Sequence, residues 1–90
     1  MRLDVYDTYV ILTDGQRMHF DVLLAEGNDA RLAQSYALQW IAVIGLQVSG
    51  VQLDRCRFCH SEAANPEIER LVNKQGYAIL QMEGCPAPLF

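Results

Sequence analysis

The stretch Ile11-Leu12-Thr13-Asp14-Gly15-Gln16-Arg17-Met18 decides how the first half of the chain folds. Asp-Gly between two runs rich in Val, Ile, Tyr, Phe and Thr is a strong hairpin signal, because these residues accept the positive φ of a tight turn. The flanking runs, Leu3 to Leu12 and Arg17 to Leu24, are the expected first two strands. With Asp14 and Gly15 alone in the loop, Leu12 lies opposite Arg17 and the register follows from there. One face then carries Val5, Asp7, Tyr9, Ile11, Met18, Phe20, Val22 and Leu24, which is the expected core. The other carries Tyr6, Thr8, Val10, Leu12, Arg17, His19, Asp21 and Leu23.

Beyond the hairpin, Asn28 is an expected N-cap, and Leu32, Tyr36, Trp40 and Val43 recur at helical spacing before Gly45 ends the run. Aromatic residues at such spacing belong to a core rather than to a ligand platform. A third strand is expected from Val51 to Phe58, where apolar and polar residues alternate. Asn65-Pro66-Glu67-Ile68-Glu69 opens a second helix with a cap, a proline in the first turn and acids at the positive end of the dipole, and Gly76 closes it. Tyr77 to Glu83 reads as a fourth strand.

The order β-β-α-β-α-β predicts an α+β fold: a single mixed four-stranded sheet with its helices mainly on one face, in one domain over residues 1–90. Each helical crossover is expected to return to a parallel neighbour, so that strands two, three and four run parallel.

The composition narrows the function. Of 90 residues, 51% are hydrophobic and 20% charged, which is globular rather than disordered. A net charge of -4 with no basic patch argues against nucleic acid, and no apolar run reaches a membrane span. The first residues, Met1-Arg2-Leu3-Asp4-Val5-Tyr6-Asp7, lack the apolar run of a secretory signal, so a cytoplasmic protein is expected. Three cysteines in a reducing compartment are better suited to be thiols or ligands than disulfides.

Cys56-Arg57-Phe58-Cys59-His60-Ser61-Glu62 holds two of those cysteines and one of two histidines. Were strands three and four parallel neighbours, Cys85 would emerge at the same sheet edge as the end of strand three. The candidate metal site is then Cys56, Cys59, His60 and Cys85, with zinc as the ion. His19 falls about 16 Å back along its strand, out of reach of that edge. A histidine beside Asp21 is ordinary on a surface, and Asp7 on the expected core face needs partners or water.

The runs Asp4-Val5-Tyr6-Asp7-Thr8-Tyr9-Val10, Met18-His19-Phe20-Asp21-Val22-Leu23-Leu24, Cys56 to Glu62, and Gln81-Met82-Glu83-Gly84-Cys85-Pro86 resemble a small bacterial family catalogued as a domain of unknown function. The resemblance spans nearly the whole chain and implies a bacterial, stand-alone protein. It carries no activity and no catalytic residue.

Four functions of different classes fit the cluster. Zinc binding satisfies the ligand count. A thiol-disulfide redox pair of Cys56 and Cys59 has the spacing but lacks the helix N-terminus that usually stabilises the thiolate. Haem attachment matches the letters Cys-x-x-Cys-His, yet needs export and room for a porphyrin. In the fourth, the thiols pack as small apolar groups and the protein binds an unidentified protein partner or a second copy of itself. No phosphate loop, nucleophile elbow or carboxylate pair points to catalysis. The expectation is a cytoplasmic, non-catalytic interaction domain whose Cys/His cluster holds zinc, with thiol redox chemistry as the alternative.

Overall fold

The computed structural model describes residues 1–47 and 50–82. They form β1 (Arg2–Leu12), β2 (Arg17–Ala25), α1 (Ala30–Val43), β3 (Val51–Ala63), α2 (Pro66–Gln75) and β4 (Ala78–Gln81). The element order and the α+β class are those expected, and the four strands make one sheet in the order β3-β1-β2-β4.

The hairpin loop is one residue longer than Asp14-Gly15. The Gly15 N–H donates to the Leu12 carbonyl at 2.9 Å, and the Leu12 N–H donates to the Gln16 carbonyl at 2.8 Å. Thr13, Asp14 and Gly15 therefore form the loop, with Gly15 at φ 86° supplying its left-handed residue. Asp14 Oδ1 accepts the Gln16 N–H at 2.9 Å and holds the turn. The extra residue moves the register by one, so that Tyr6 faces Val22, Thr8 faces Phe20 and Val10 faces Met18. A slip of one exchanges the faces of a strand. Tyr6, Thr8 and Val10 join Met18, Phe20, Val22 and Leu24, whereas Asp7, Tyr9 and Ile11 join Arg17, His19, Asp21 and Leu23.

The expected mixed sheet is corrected: every pairing is antiparallel. β2 and β3 do run in the same direction, but β1 lies between them. α1 thus carries the chain past one strand before it pairs, a route that a parallel-neighbour rule does not anticipate. β4 then returns to the opposite edge, beside β2.

The helices also take opposite faces instead of one. α1 buries Ala33, Ala37, Trp40 and Ile41 against the Val10, Met18, Phe20 and Val22 side, with the Trp40 and Phe20 rings 4.7 Å apart. α2 packs Val72, Leu71 and Ile68 on Leu3, Val5, Leu23 and Ala78 of the other side. β1 is consequently buried at consecutive positions from Leu3 to Tyr6, between both helices, and alternates from Asp7 onward, where only α1 covers it.

The caps are set by local chemistry. Asp29 caps α1, one residue later than the expected Asn28, and accepts the Leu32 N–H at 3.1 Å. Asn65 caps α2 by accepting the Ile68 N–H at 2.8 Å, with Pro66 following it. Gly76 ends α2 at φ 95°, its N–H donating to the Val72 carbonyl at 2.8 Å.

Gly76 is doubly constrained, since a Cβ there would be left-handed and would lie 2.9 Å from Tyr36 Cζ, in a ring stacked 4.6 Å from Tyr77. Gly76→Ala should cost at least about 1–2 kcal/mol, a fall in Tm of about 5–10 °C. Gly15→Asn, at a left-handed site where nothing crowds a Cβ, should cost far less in the same melting experiment.

Candidate functional site

The expected Cys/His cluster lies inside a strand, not at its end, because β3 continues to Ala63. Its side chains therefore obey strand alternation, modified where the register shifts at two bulges. Cys56 is opposite Thr8 and packs against the α1-side core, while His60 is opposite Val5 on the α2 side. Sheet backbone separates the two groups. Cys59 is the unmatched residue between the Phe58 and His60 pairs, exposed, with Sγ 3.3 Å from His60 Nδ1. His60 Nε2 lies 3.4 Å from Glu62 Oε2.

Burial pushes the Cys56 thiol up, although the Thr8 hydroxyl at 3.4 Å from Sγ pulls it back in part. A thiol so placed is a poor thiolate and a poor nucleophile at neutral pH. Cys85 lies outside the described residues. β3 and β4 occupy opposite edges of the sheet rather than neighbouring positions, so their ends do not meet at one edge as expected. Cys56, Thr8, Phe20 and Gln81 form one row across the four strands, a span of about 14 Å at ~4.8 Å per strand. Among the described residues, Cys56, Cys59 and His60 do not form a ligand trio.

The register instead assembles a polar network on the half of the sheet that α2 leaves uncovered. Asp7 and Asp21 are directly opposite, and His19 faces Tyr9 one pair further along the same face. His19 Nε2 is 2.5 Å from Asp7 Oδ1 and 3.9 Å from Asp21 Oδ1. The Arg55 guanidinium donates to Asp7 Oδ2. Tyr9 is the platform beneath: its ring stacks on the His19 ring at 4.2 Å and 9°, with the Arg17 and Arg55 guanidinium carbons 4.1 and 4.7 Å from its centroid. Arg17 also pairs with Asp54 at 2.8 Å. A shallow cleft of about 340 Å³ beside the network is lined by Asp7, Arg55, Arg57, Phe58 and Cys59.

The two carboxylates are pushed apart in pKa. Burial alone raises Asp7, but the hydrogen bonds and charges of Arg55 and His19 outweigh it, and the net direction is down. Burial raises Asp21, the Asp7 charge raises it further, and His19 opposes this without reversing it. Asp21 is only 8% exposed.

The residues of this network were visible in the sequence, but the two-residue loop put Asp7 on the opposite face from His19. The signal that could have united them is the period-2 pattern itself: Asp7, Tyr9 and Ile11 match the polar run Arg17, His19 and Asp21 only with the longer turn.

The signs of the two shifts differ, and so does their effect on stability. The lowered Asp7 stabilises the fold above the ordinary carboxylate range, and that contribution is lost as pH falls through its folded value. The raised Asp21 has the opposite sense, its contribution being present in acid and lost as pH rises. In thermal melts at neutral pH, Asp7→Asn should destabilise by roughly 1 kcal/mol, while Asp21→Asn should raise the Tm; both differences should close in acid.

Three comparisons with known proteins bear on this chain. Residues 1–82 match the family model described as "Domain of unknown function (DUF2024)". The NMR structure of protein NE1680 from Nitrosomonas europaea, a structural-genomics target, is similar with a TM-score of 0.80 and 43% identity, covering 96% of this chain and 100% of that one. No curated protein matches. The shared fold and the length of the family match establish that this chain belongs to the family of domains of unknown function DUF2024.

Proposed function

We propose that this is a non-catalytic interaction domain that associates with a second copy of itself through the open edge of β3. The observation that carries this proposal is the edge strand itself. β3 has 13 residues, pairs on one side with β1, and among the described residues has no strand on its other side. An edge of that length is a template for further pairing unless it is blunted. Val51 and Leu53 are half-buried along it, and Phe58, set edge-on to Tyr6 at 6.0 Å, remains 55% exposed. Addition of a strand buries that ring and satisfies a row of main-chain groups.

The bulges and the charges of Asp54, Arg57 and Glu62 restrict the register in which two such strands can meet. A two-fold arrangement uses the same edge on both copies and closes at a dimer, leaving no β3 edge to propagate. No helix among the described residues is long and apolar enough to cross a membrane. The two described cysteines are free thiols, which supports a cytoplasmic site of action.

The thiol-redox alternative, with Cys56 and Cys59 cycling, asks the more buried thiol to ionise against its raised pKa. Zinc at Cys56, Cys59, His60 and Cys85 asks one ion to be reached from both faces of a sheet. Association through the edge asks for neither.

Sedimentation velocity over a wide concentration range is the test. The reduced protein should shift from monomer to dimer as concentration rises, and Phe58→Asp should weaken the association by about tenfold or more without altering the circular dichroism spectrum. A monomer up to the solubility limit, or a dimer indifferent to Phe58→Asp, would remove the β3 edge from consideration.

A further inference from the structure

We propose that Asp7, His19 and Asp21 form a binding site for one divalent transition-metal ion of the zinc type, independent of the cysteines.

The three side chains project from two paired strands onto one face, and one ligand atom from each lies within 4.8 Å of the other two. Donors at 2.0–2.1 Å from a tetrahedral ion are about 3.3 Å from one another. His19 Nε2 must therefore move away from Asp7 Oδ1, now at 2.5 Å, and toward Asp21 Oδ1, now at 3.9 Å. Both changes are under an ångström, and the two carboxylate oxygens, within 4.8 Å of each other, must close to the same spacing by rotation of their side chains.

A second observation, independent of this spacing, comes from Asp21. Its side chain is only 11% exposed, and the His19 ring nitrogen, at 3.9 Å from Oδ1, stands too far away to hydrogen-bond it. Buried carboxylates are normally supplied with donors. Asp21 also sits directly opposite Asp7, an arrangement of like charges that costs stability in a sheet. A divalent cation between the two satisfies the first and offsets the repulsion of both.

The surroundings are built for holding ligands in place. The Tyr9 ring stacked on His19 fixes the plane of the imidazole, and Arg55 occupies Asp7 Oδ2, leaving Oδ1 for the ion. Such outer contacts orient the groups that touch a metal. One imidazole with two carboxylates suits zinc, cobalt or manganese better than magnesium or calcium, which prefer all-oxygen sites. Asp7 and His19 are each about a fifth exposed, so the ion has an entry path and a fourth position for water.

Calorimetric titration of the reduced full chain with zinc alone tests the site. About one ion per chain should bind, and Asp21→Asn and His19→Gln should each weaken binding by about tenfold or more. Cys59→Ser, at an exposed position, should leave binding unchanged. The cobalt-loaded protein should show no sulfur-to-metal charge-transfer band. Metal-free melts serve as the folding control, because Asp21→Asn removes a ligand while relieving a buried charge. No zinc uptake, unchanged affinity in both the Asp21 and His19 variants, or a sulfur-to-cobalt band would overturn the site; the last would assign the metal to the thiols.

Discussion

The left-handed Gly15 in a three-residue turn is the constraint on which the rest of the structure depends. It sets which residues of β1 and β2 face the same way, and those two strands form the centre of the sheet. With the turn as it is, Phe20, Val10, Met18 and Val22 make one continuous apolar surface, and α1 closes over it. With a loop one residue shorter, Asp7 and Tyr9 would be carried under α1 and Thr8 and Val10 turned outward. A buried carboxylate would then replace a buried valine, at a cost that a domain of marginal stability could not absorb. Packing thus selects the longer turn, and the glycine makes it available.

The same register creates the polar network as a by-product of the core. Once the even-numbered residues of β1 and β2 are committed to α1, the odd-numbered ones must share the second face. Near Leu3, Val5 and Leu23 that face is apolar and α2 covers it; beyond them it carries Asp7, Tyr9, Arg17, His19 and Asp21. The ten-residue α2 is about 15 Å long at 1.5 Å per residue, so it shelters only part of the 11-residue β1. Asp21 is caught at the boundary. It is close enough to the covered region to be largely buried and close enough to Asp7 to feel its charge, which is why the two carboxyls shift in opposite directions.

Local signals were legible in the sequence because their causes are local. Asn65, Pro66 and Gly76 marked both ends of α2, since capping depends on residues within one turn. The order of elements and the α+β class followed from periodicity, and the family from four runs spread along the chain. What could not be read is decided by distant partners. Strand order depends on which edge of the hairpin each crossover reaches, and the side taken by each helix depends on competition between two faces that both carry apolar residues at the Leu3 and Leu23 end. The third strand expected from sequence ends at Phe58 for a related reason: Cys59 breaks the alternation, and a bulge looks like a strand end unless the pairing of His60 with Val5 and Glu62 with Leu3 is known.

The Cys-x-x-Cys-His text shows how far a motif depends on its backbone. Two residues of intervening chain bring thiols together in a turn or at a helix start, where the backbone folds back on itself. In an extended strand, successive side chains alternate between faces, so Cys56 and His60 can be brought to one face or parted only by the number of bulges between them. One bulge, at Cys59, is what parts them: without it, positions four apart would share a face, and the imidazole would stand on the α1 side with the Cys56 thiol. That unmatched residue leaves Cys56 as a packing group under α1 and turns His60 to the opposite surface, where, further along the sheet, strand pairing brings Asp7 of β1 to His19 and Asp21 of β2. Chemistry in this fold is therefore distributed by strand register, and the residues most conspicuous in the sequence are not those the sheet brings together.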